Sequence, residues 1–180
     1  LAFSERVGPG GHVTGVDISA PMLGRARQRA PAGAPVEFIQ ADATTHTFPR
    51  ARFDLLVSRF GVMFFAHPSA AFTNLRTALR PGARIAFVCW RGPRHNPWLT
   101  VPLAAVYRHA PKLPDPRPDA PGLFSFASRQ RVEGILHDAG YVQVSLERHD
   151  FPLDIAAGRG LDEAVDAALA VGTTDHALAG

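Results

Sequence analysis

A single cysteine, Cys89, stands in 180 residues, so no internal disulfide and no cysteine-based zinc cluster can form, and no metal site is expected. That usage fits a reducing compartment. No apolar run reaches the length of a membrane span, and no charged segment followed by an apolar one marks a secretory signal. A cytoplasmic protein without a membrane span is the expectation. Blocks of like charge are missing too. The formal net charge is only +3 despite a pI near 9.7. Arginine supplies nearly all the positive charge, scattered through Arg25, Arg27, Arg29, Arg50, Arg52, Arg76 and Arg80. A nucleic-acid footprint would be a continuous basic stripe interleaved with aromatics, so no nucleic-acid partner is expected. No internal repeat or low-complexity tract appears. The chain starts without methionine in mid-pattern and ends, through His176 to Gly180, like a cut, so it reads as a fragment.

What is present is globular: 46% hydrophobic and 19% charged residues, enough to bury a core within one domain over 1–180. The organising stretch is Val13-Thr14-Gly15-Val16-Asp17-Ile18-Ser19. Its β-branched residues suit a buried strand, Asp17 falls at the strand end, Ser19 can cap the following helix, and Pro21 fits its first turn. In open α/β sheets ligands bind beyond the carboxyl ends of the strands, where a carboxylate can accept from both hydroxyls of a ribose. The plainer role for Asp17 is to stabilise the N-terminus of that helix.

In chain order, Leu1–Val7 reads as the tail of a helix, closed by Gly8-Pro9-Gly10-Gly11. A helix over 20–30 follows the first strand, then a strand Val36–Gln40 ending beside Asp42, and a strand Phe53–Ser58 apolar enough for a sheet interior. Pro68 opens a helix that Arg80-Pro81-Gly82 stops, and Ala83–Trp90 is a fourth strand. Repeated strand–helix–strand units give a Rossmann-like α/β fold: a mostly parallel sheet with helices on both faces, truncated at both ends. From Arg91 to Ala127 the pattern fails in a proline-rich insertion. Ser128 caps a helix closed by Gly140, Tyr141–Glu147 alternates like a half-buried strand, and Leu161–Val171 is a last amphipathic helix.

Three stretches then resemble one family: Val16-Asp17-Ile18-Ser19-Ala20-Pro21-Met22-Leu23, Ala41-Asp42-Ala43, and Phe53–Ser58 through Leu79-Arg80-Pro81-Gly82-Ala83-Arg84. Arg59-Phe60-Gly61-Val62-Met63-Phe64-Phe65 and Phe87-Val88-Cys89-Trp90-Arg91 add to it. The chain resembles class I S-adenosylmethionine-dependent methyltransferases, nearest to the ubiquinone/menaquinone-biosynthesis type that modifies small molecules. The resemblance implies that Asp17 holds the ribose hydroxyls and that Ile18 and Met22 pack beside the adenosine. It implies that Asp42 accepts from the adenine amino group, with the Ala43 N–H beside it, and that Ser58, Arg59 and Phe60 line the methionine side. Ile18 and Met22 at helical spacing also fit a core role, Asp42 a helix cap, and Asp54, at a strand start, a structural one. The family's first strand, its glycine-rich loop and its closing antiparallel strand have no counterpart here, so weak cofactor binding is expected of this stretch alone.

The 91–127 insertion follows a strand's carboxyl end, and Trp98, Tyr107 and Phe124 are expected to form the apolar pocket of an acceptor-binding lid for a small, lipophilic molecule. Methyl transfer needs alignment and water exclusion, and a base only where the acceptor must lose a proton. His67, His95 and His109 have the chemistry, but their spacing selects none, so no catalytic residue is named. Two other readings stand beside this one. An NAD(P)-dependent oxidoreductase also places an acid after a second strand, and a catalytically silent domain could keep the fold for binding.

Overall fold

The computed structural model describes residues 2–114, 117 and 119–170. The end of the last expected helix at Val171 and the terminus from His176 to Gly180 lie outside the described residues. The chain clusters into two compact units, Leu1–Leu56 with His67–Ile85, and Val57–Ala66 with Ala86–Gly180.

In the first unit, β1 (Val13–Asp17) and β2 (Val36–Gln40) pair in parallel, in register from Val13 opposite Val36 to Asp17 opposite Gln40. The connection between them is α1 (Ala20–Arg29), the crossover a parallel pair requires. Ser19 caps α1, its Oγ accepting from the Met22 amide at 3.4 Å, and buried Leu23 is the helix's inward anchor. The Arg27 guanidinium donates to the Phe38 carbonyl at 3.0 Å, tying the helix to β2. Gly15 is required by close approach: a Cβ there would stand 2.8 Å from the Phe38 ring. Across the strands the Thr14 hydroxyl donates to Glu37 at 2.7 Å, and that bond holds the Glu37 carboxyl below its ordinary value.

The second strand pair is β3 (Phe53–Arg59) with β4 (Leu79–Val88), linked by α2 (Pro68–Ala78). Hydrogen bonds from Arg52 N to Ala78 O and from Phe60 N to Val88 O bracket the pair and advance in the same sense along both strands. Ala71, Phe72 and Ala78 of α2 are buried with Leu23 and Phe48. In the second unit the core is built from Val62 and Met63, Leu99 and Val106 of α3 (Pro97–Val106), Val132, Ile135 and Leu136 of α4 (Arg129–Asp138), and Ala168 of α5 (Leu161–Leu169).

Several expectations need correction. Residues 2–7 form a single turn, with the Arg6 and Val7 amides both bonded to the Phe3 carbonyl, rather than the tail of an α-helix. Arg80-Pro81-Gly82 lies inside β4 and not between helix and strand: α2 ends at Ala78 because the residue before a proline is pushed out of the helical region. Gly82, at φ +79°, then adopts a backbone that a side chain would strain. The stretch 53–58 is a strand but not a sheet interior, with Leu55 48% exposed, because among the described residues β3 has β4 as its single neighbour. Tyr141–Glu147 forms no strand. Val142 is 82% exposed and Gln143 sits at φ +55°, and alternation alone makes no ladder without a partner. Finally, the 91–127 stretch is not irregular throughout, since it contains a 3-10 turn (Pro93–His95) and then α3.

Candidate functional site

In the first unit the parallel register brings Asp17 and the residues after Gln40 to the same end of the β1–β2 pair. The Ala41 amide donates to the Asp17 carbonyl at 3.0 Å, so the ladder continues one step beyond β2. One carboxylate oxygen of Asp17 accepts from the Ser19 amide at 2.8 Å, which fixes the turn into α1. Ile18 and Met22 are 69% and 60% exposed. They are therefore not core residues: two large apolar side chains stand in the open beside a strand-end carboxylate.

Asp42 begins a tight turn, its Oδ1 accepting from the Thr44 amide at 2.8 Å and its carbonyl from Thr45 and His46. It caps that turn and remains exposed. The turn is clamped from α2, where the Asn74 side-chain amide donates to the carbonyls of Ala43 and His46 at 2.9 and 2.8 Å. Asp54 pairs with Arg80 at 2.6 Å across β3 and β4, the structural role expected of it. His67 stands exposed at the start of α2.

In the second unit the chain beyond β3 turns sharply. Phe60 adopts a left-handed backbone, φ 66° and ψ −7°, which is uncommon for a bulky residue and is held here by its amide bond to Val88. Ser58 is half-buried and Arg59 exposed, and a Cβ at Gly61 would come within 3.3 Å of the Ser58 hydroxyl. The Phe60 ring stacks on Trp90 with centroids 4.3 Å apart and planes 10° from parallel. Trp90 in turn meets Trp98 at 5.2 Å and 47°. The Trp90 backbone amide donates to the sulfur of fully buried Met63 at 3.4 Å, which anchors the chain that carries the middle ring. Phe60 and Trp98 are thus joined through Trp90, a residue not singled out as a site residue from the sequence. The signal was there: Phe60 and Trp90 each follow the end of a strand, and the two strands are paired.

Trp98 and Tyr107 are both half-buried, but they occupy the first turn and the C-cap of α3. A helix rise of about 1.5 Å per residue spaces them by roughly 13 Å along its axis. Phe124 lies in a turn whose carbonyl accepts from Ala127. His109 is exposed beyond α3, and Cys89 is half-buried, its thiol pushed up by desolvation.

Comparison with known proteins fits this geometry. Residues 2–87 match the family model described as a methyltransferase domain. That stretch, a little under half of the chain, is similar to methyltransferase domains. The demethylmenaquinone methyltransferase of Thermus thermophilus is 41% identical over 86 residues, 47% of this chain and 39% of that protein. The ubiquinone/menaquinone biosynthesis C-methyltransferase UbiE of Pseudomonas putida is 39% identical over 98 residues, 52% of this chain and 38% of that protein. The chain thus spans well under half the length of these curated relatives. A SAM-dependent methyltransferase from Aquifex aeolicus shares the fold, with a TM-score of 0.56 at 20% identity over 77% of this chain and 63% of that one. The α/β, Rossmann-like class is therefore the fold of this chain. The matched stretch holds Asp17, Ile18, Met22, Asp42, Ala43, Ser58, Arg59 and Phe60 and stops short of Trp90 and the 91–127 segment. Among the described residues no helix is long and apolar enough to cross a membrane.

Proposed function

We propose that this protein transfers a methyl group from S-adenosylmethionine to a small, lipophilic acceptor. The observation that carries the reading is the exposure of Ile18 and Met22 just after the strand-end carboxylate of Asp17, with Asp42 following β2 at the same end of the strand pair. Adenosine is a flat apolar ring with polar edges and a diol, and such a ligand calls for an aliphatic wall with a few placed acceptors. Asp17 would accept from the ribose hydroxyls, Ile18 and Met22 would cover the ring, and Asp42 would accept from its amino group, with the Ala43 N–H beside it. Ser58, Arg59 and Phe60 are assigned to the methionine portion. When bound, the cofactor supplies a methyl group on a positively charged sulfur. The protein's share is to orient the partners and exclude water, which in favourable model systems contributes about 7–11 kcal/mol.

The acceptor is assigned to the 91–127 lid, with Trp98, Tyr107 and Phe124 as its apolar residues. The quinone-methylating relatives support a lipophilic small molecule as the acceptor. The test is calorimetric titration of S-adenosylhomocysteine into the wild type and into Asp17→Asn. The ribose assignment requires at least tenfold weaker binding in the variant, since hydrogen bonds to a charged acceptor contribute about 1.5–3 kcal/mol. Equal affinity would remove Asp17 from the site.

A further inference from the structure

A groove of about 520 Å³ lies in the loop after β4, lined by Arg91, Gly92, Pro93, Arg94, His95 and Ala127. Its charges converge on one ring, although Arg94 and His95 are exposed. Arg91 Nη2 and Arg94 Nε each stand 3.0 Å from the same atom, His95 Nε2. Guanidinium groups only donate, so Nε2 is the acceptor and the ring proton sits on Nδ1. One neutral lone pair thus serves two cationic donors. The other arm of Arg91 donates to Asp150 at 3.0 Å, and Asp150 also takes Arg148. Two arginines, Arg91 and Arg148, therefore share one carboxylate, and among the described residues Arg94 has only the imidazole.

We infer that this groove binds an organic carboxylate, held by Arg91 and Arg94, as the anionic group of the methyl acceptor. The acceptor role rests on the function proposed above, and the recognition of a carboxylate rests on the groove itself. A carboxylate is planar, matches the guanidinium fork, and is a stronger acceptor than an imidazole lone pair. Asp150 shows one arm of Arg91 already satisfied this way, while the other arm and Arg94 share a neutral atom. The loop is built to hold that arrangement. Buried Asn96 donates its side-chain amide to the carbonyls of Arg91 and Gly92 at 2.8 and 3.1 Å and accepts from the Trp98 indole at 3.1 Å. The same loop that frames the basic groove therefore also fixes one end of the aromatic stack, a preorganisation that lowers the ordering cost of binding. Consistent with an excess of positive charge, the His95 ring is held below its ordinary value by desolvation and by Arg91, Arg94 and Arg148, with Asp150 opposing.

The test uses the 180-residue chain with sodium benzoate, neutral benzamide and inorganic phosphate as probes, read by calorimetry and by the His95 ring signals in NMR. Benzoate is expected to bind and shift those signals, with benzamide at least tenfold weaker. Arg94→Gln should weaken benzoate at least tenfold, while Arg25→Gln, on α1, leaves it unchanged. Thermal unfolding of each variant verifies its fold. Equal binding of benzoate and benzamide, or full benzoate affinity in Arg94→Gln, would overturn the inference. Phosphate binding as tight as benzoate would overturn the choice of carboxylate. S-adenosylhomocysteine titrated into the same samples separates the two readings: its failure to bind would count against methyl transfer and the acceptor role, while the benzoate result still decides carboxylate recognition.

Discussion

Around Asp17 the side-chain chemistry is local: its carboxylate bonds the amide two residues on, and Ser19 bonds Met22. Around Trp90 it is assembled from a distance, with Phe60 from the turn after β3, Met63 accepting from its backbone amide and Trp98 from α3. The first region lies inside the stretch shared with methyltransferase domains, and the second straddles its end, with Phe60 and Met63 inside the match and Trp90 and Trp98 beyond it. The proposed cofactor residues are thus held by short local motifs, whereas the aromatic stack is held by contacts between residues distant in sequence.

The sharpest way to break that comparison is to remove one fully buried side chain from each unit. Phe72, fully buried on α2, should cost about 3–5 kcal/mol as Phe72→Ala, and Met63→Ala about 2–5 kcal/mol. Chemical denaturation followed by tryptophan fluorescence reads both. Met63→Ala should also change the native-state emission because its sulfur accepts from the Trp90 amide, whereas Phe72→Ala should leave it unchanged.

The two asparagine clamps give a smaller contrast. Asn96 is 5% exposed and makes three side-chain hydrogen bonds, whereas half-buried Asn74 makes two. At about 1 kcal/mol per bond, Asn96→Ala should cost about 3 kcal/mol and Asn74→Ala about 2 kcal/mol in urea denaturation. A larger loss at Asn74 would reverse the ranking of the two loops.

Phe60 offers a finer probe, because its left-handed backbone and its ring act in opposite directions. Phe60→Ala loses the stack and keeps the strain, while Phe60→Gly loses both. The glycine variant should therefore be the more stable of the two by about 1 kcal/mol. An alanine variant as stable as the glycine one would mean that the backbone is not strained there.

The smallest effect is electrostatic. His95 has its folded value lowered, chiefly by desolvation and then by Arg91 and Arg94. The unfolded chain then binds more protons than the folded one below the ordinary histidine value of about 6.5. Stability from this group is present above that value and is lost as pH falls through it. NMR titration should place the His95 midpoint below the ordinary histidine value of about 6.5, and a midpoint above it would refute the converging arginines.

The legible part of the fold was the part with local punctuation. Ser19 and Ser128 both cap the helices expected of them, and the apolar strands before Asp17 and Asp42 fall where the pattern places them. The hidden part depended on partners. Pro97 and Pro102 made α3 read as loop, although Pro97 fills a first-turn position that tolerates it. Val142, Val144 and Leu146 alternate as a strand should, yet extended backbone without a neighbour's hydrogen bonds does not persist, and Gln143 turns left-handed instead. Trp90 escaped notice as a site residue because nothing local marks it, and its importance comes from pairing with a ring on another strand's end. Ile18 and Met22 show the converse: helical spacing suited a core, and their exposure excludes it.

The central claim, that the open face around Ile18 and Met22 receives the cofactor, is tested most directly by mapping S-adenosylhomocysteine onto the backbone amide spectrum of the isotope-labelled protein. This readout also reports weak binding. The account requires the largest shifts at Ile18, Met22, Asp42 and Ala43, with methionine alone unable to reproduce them. Shifts confined to other residues, or none there at saturating ligand, would contradict it.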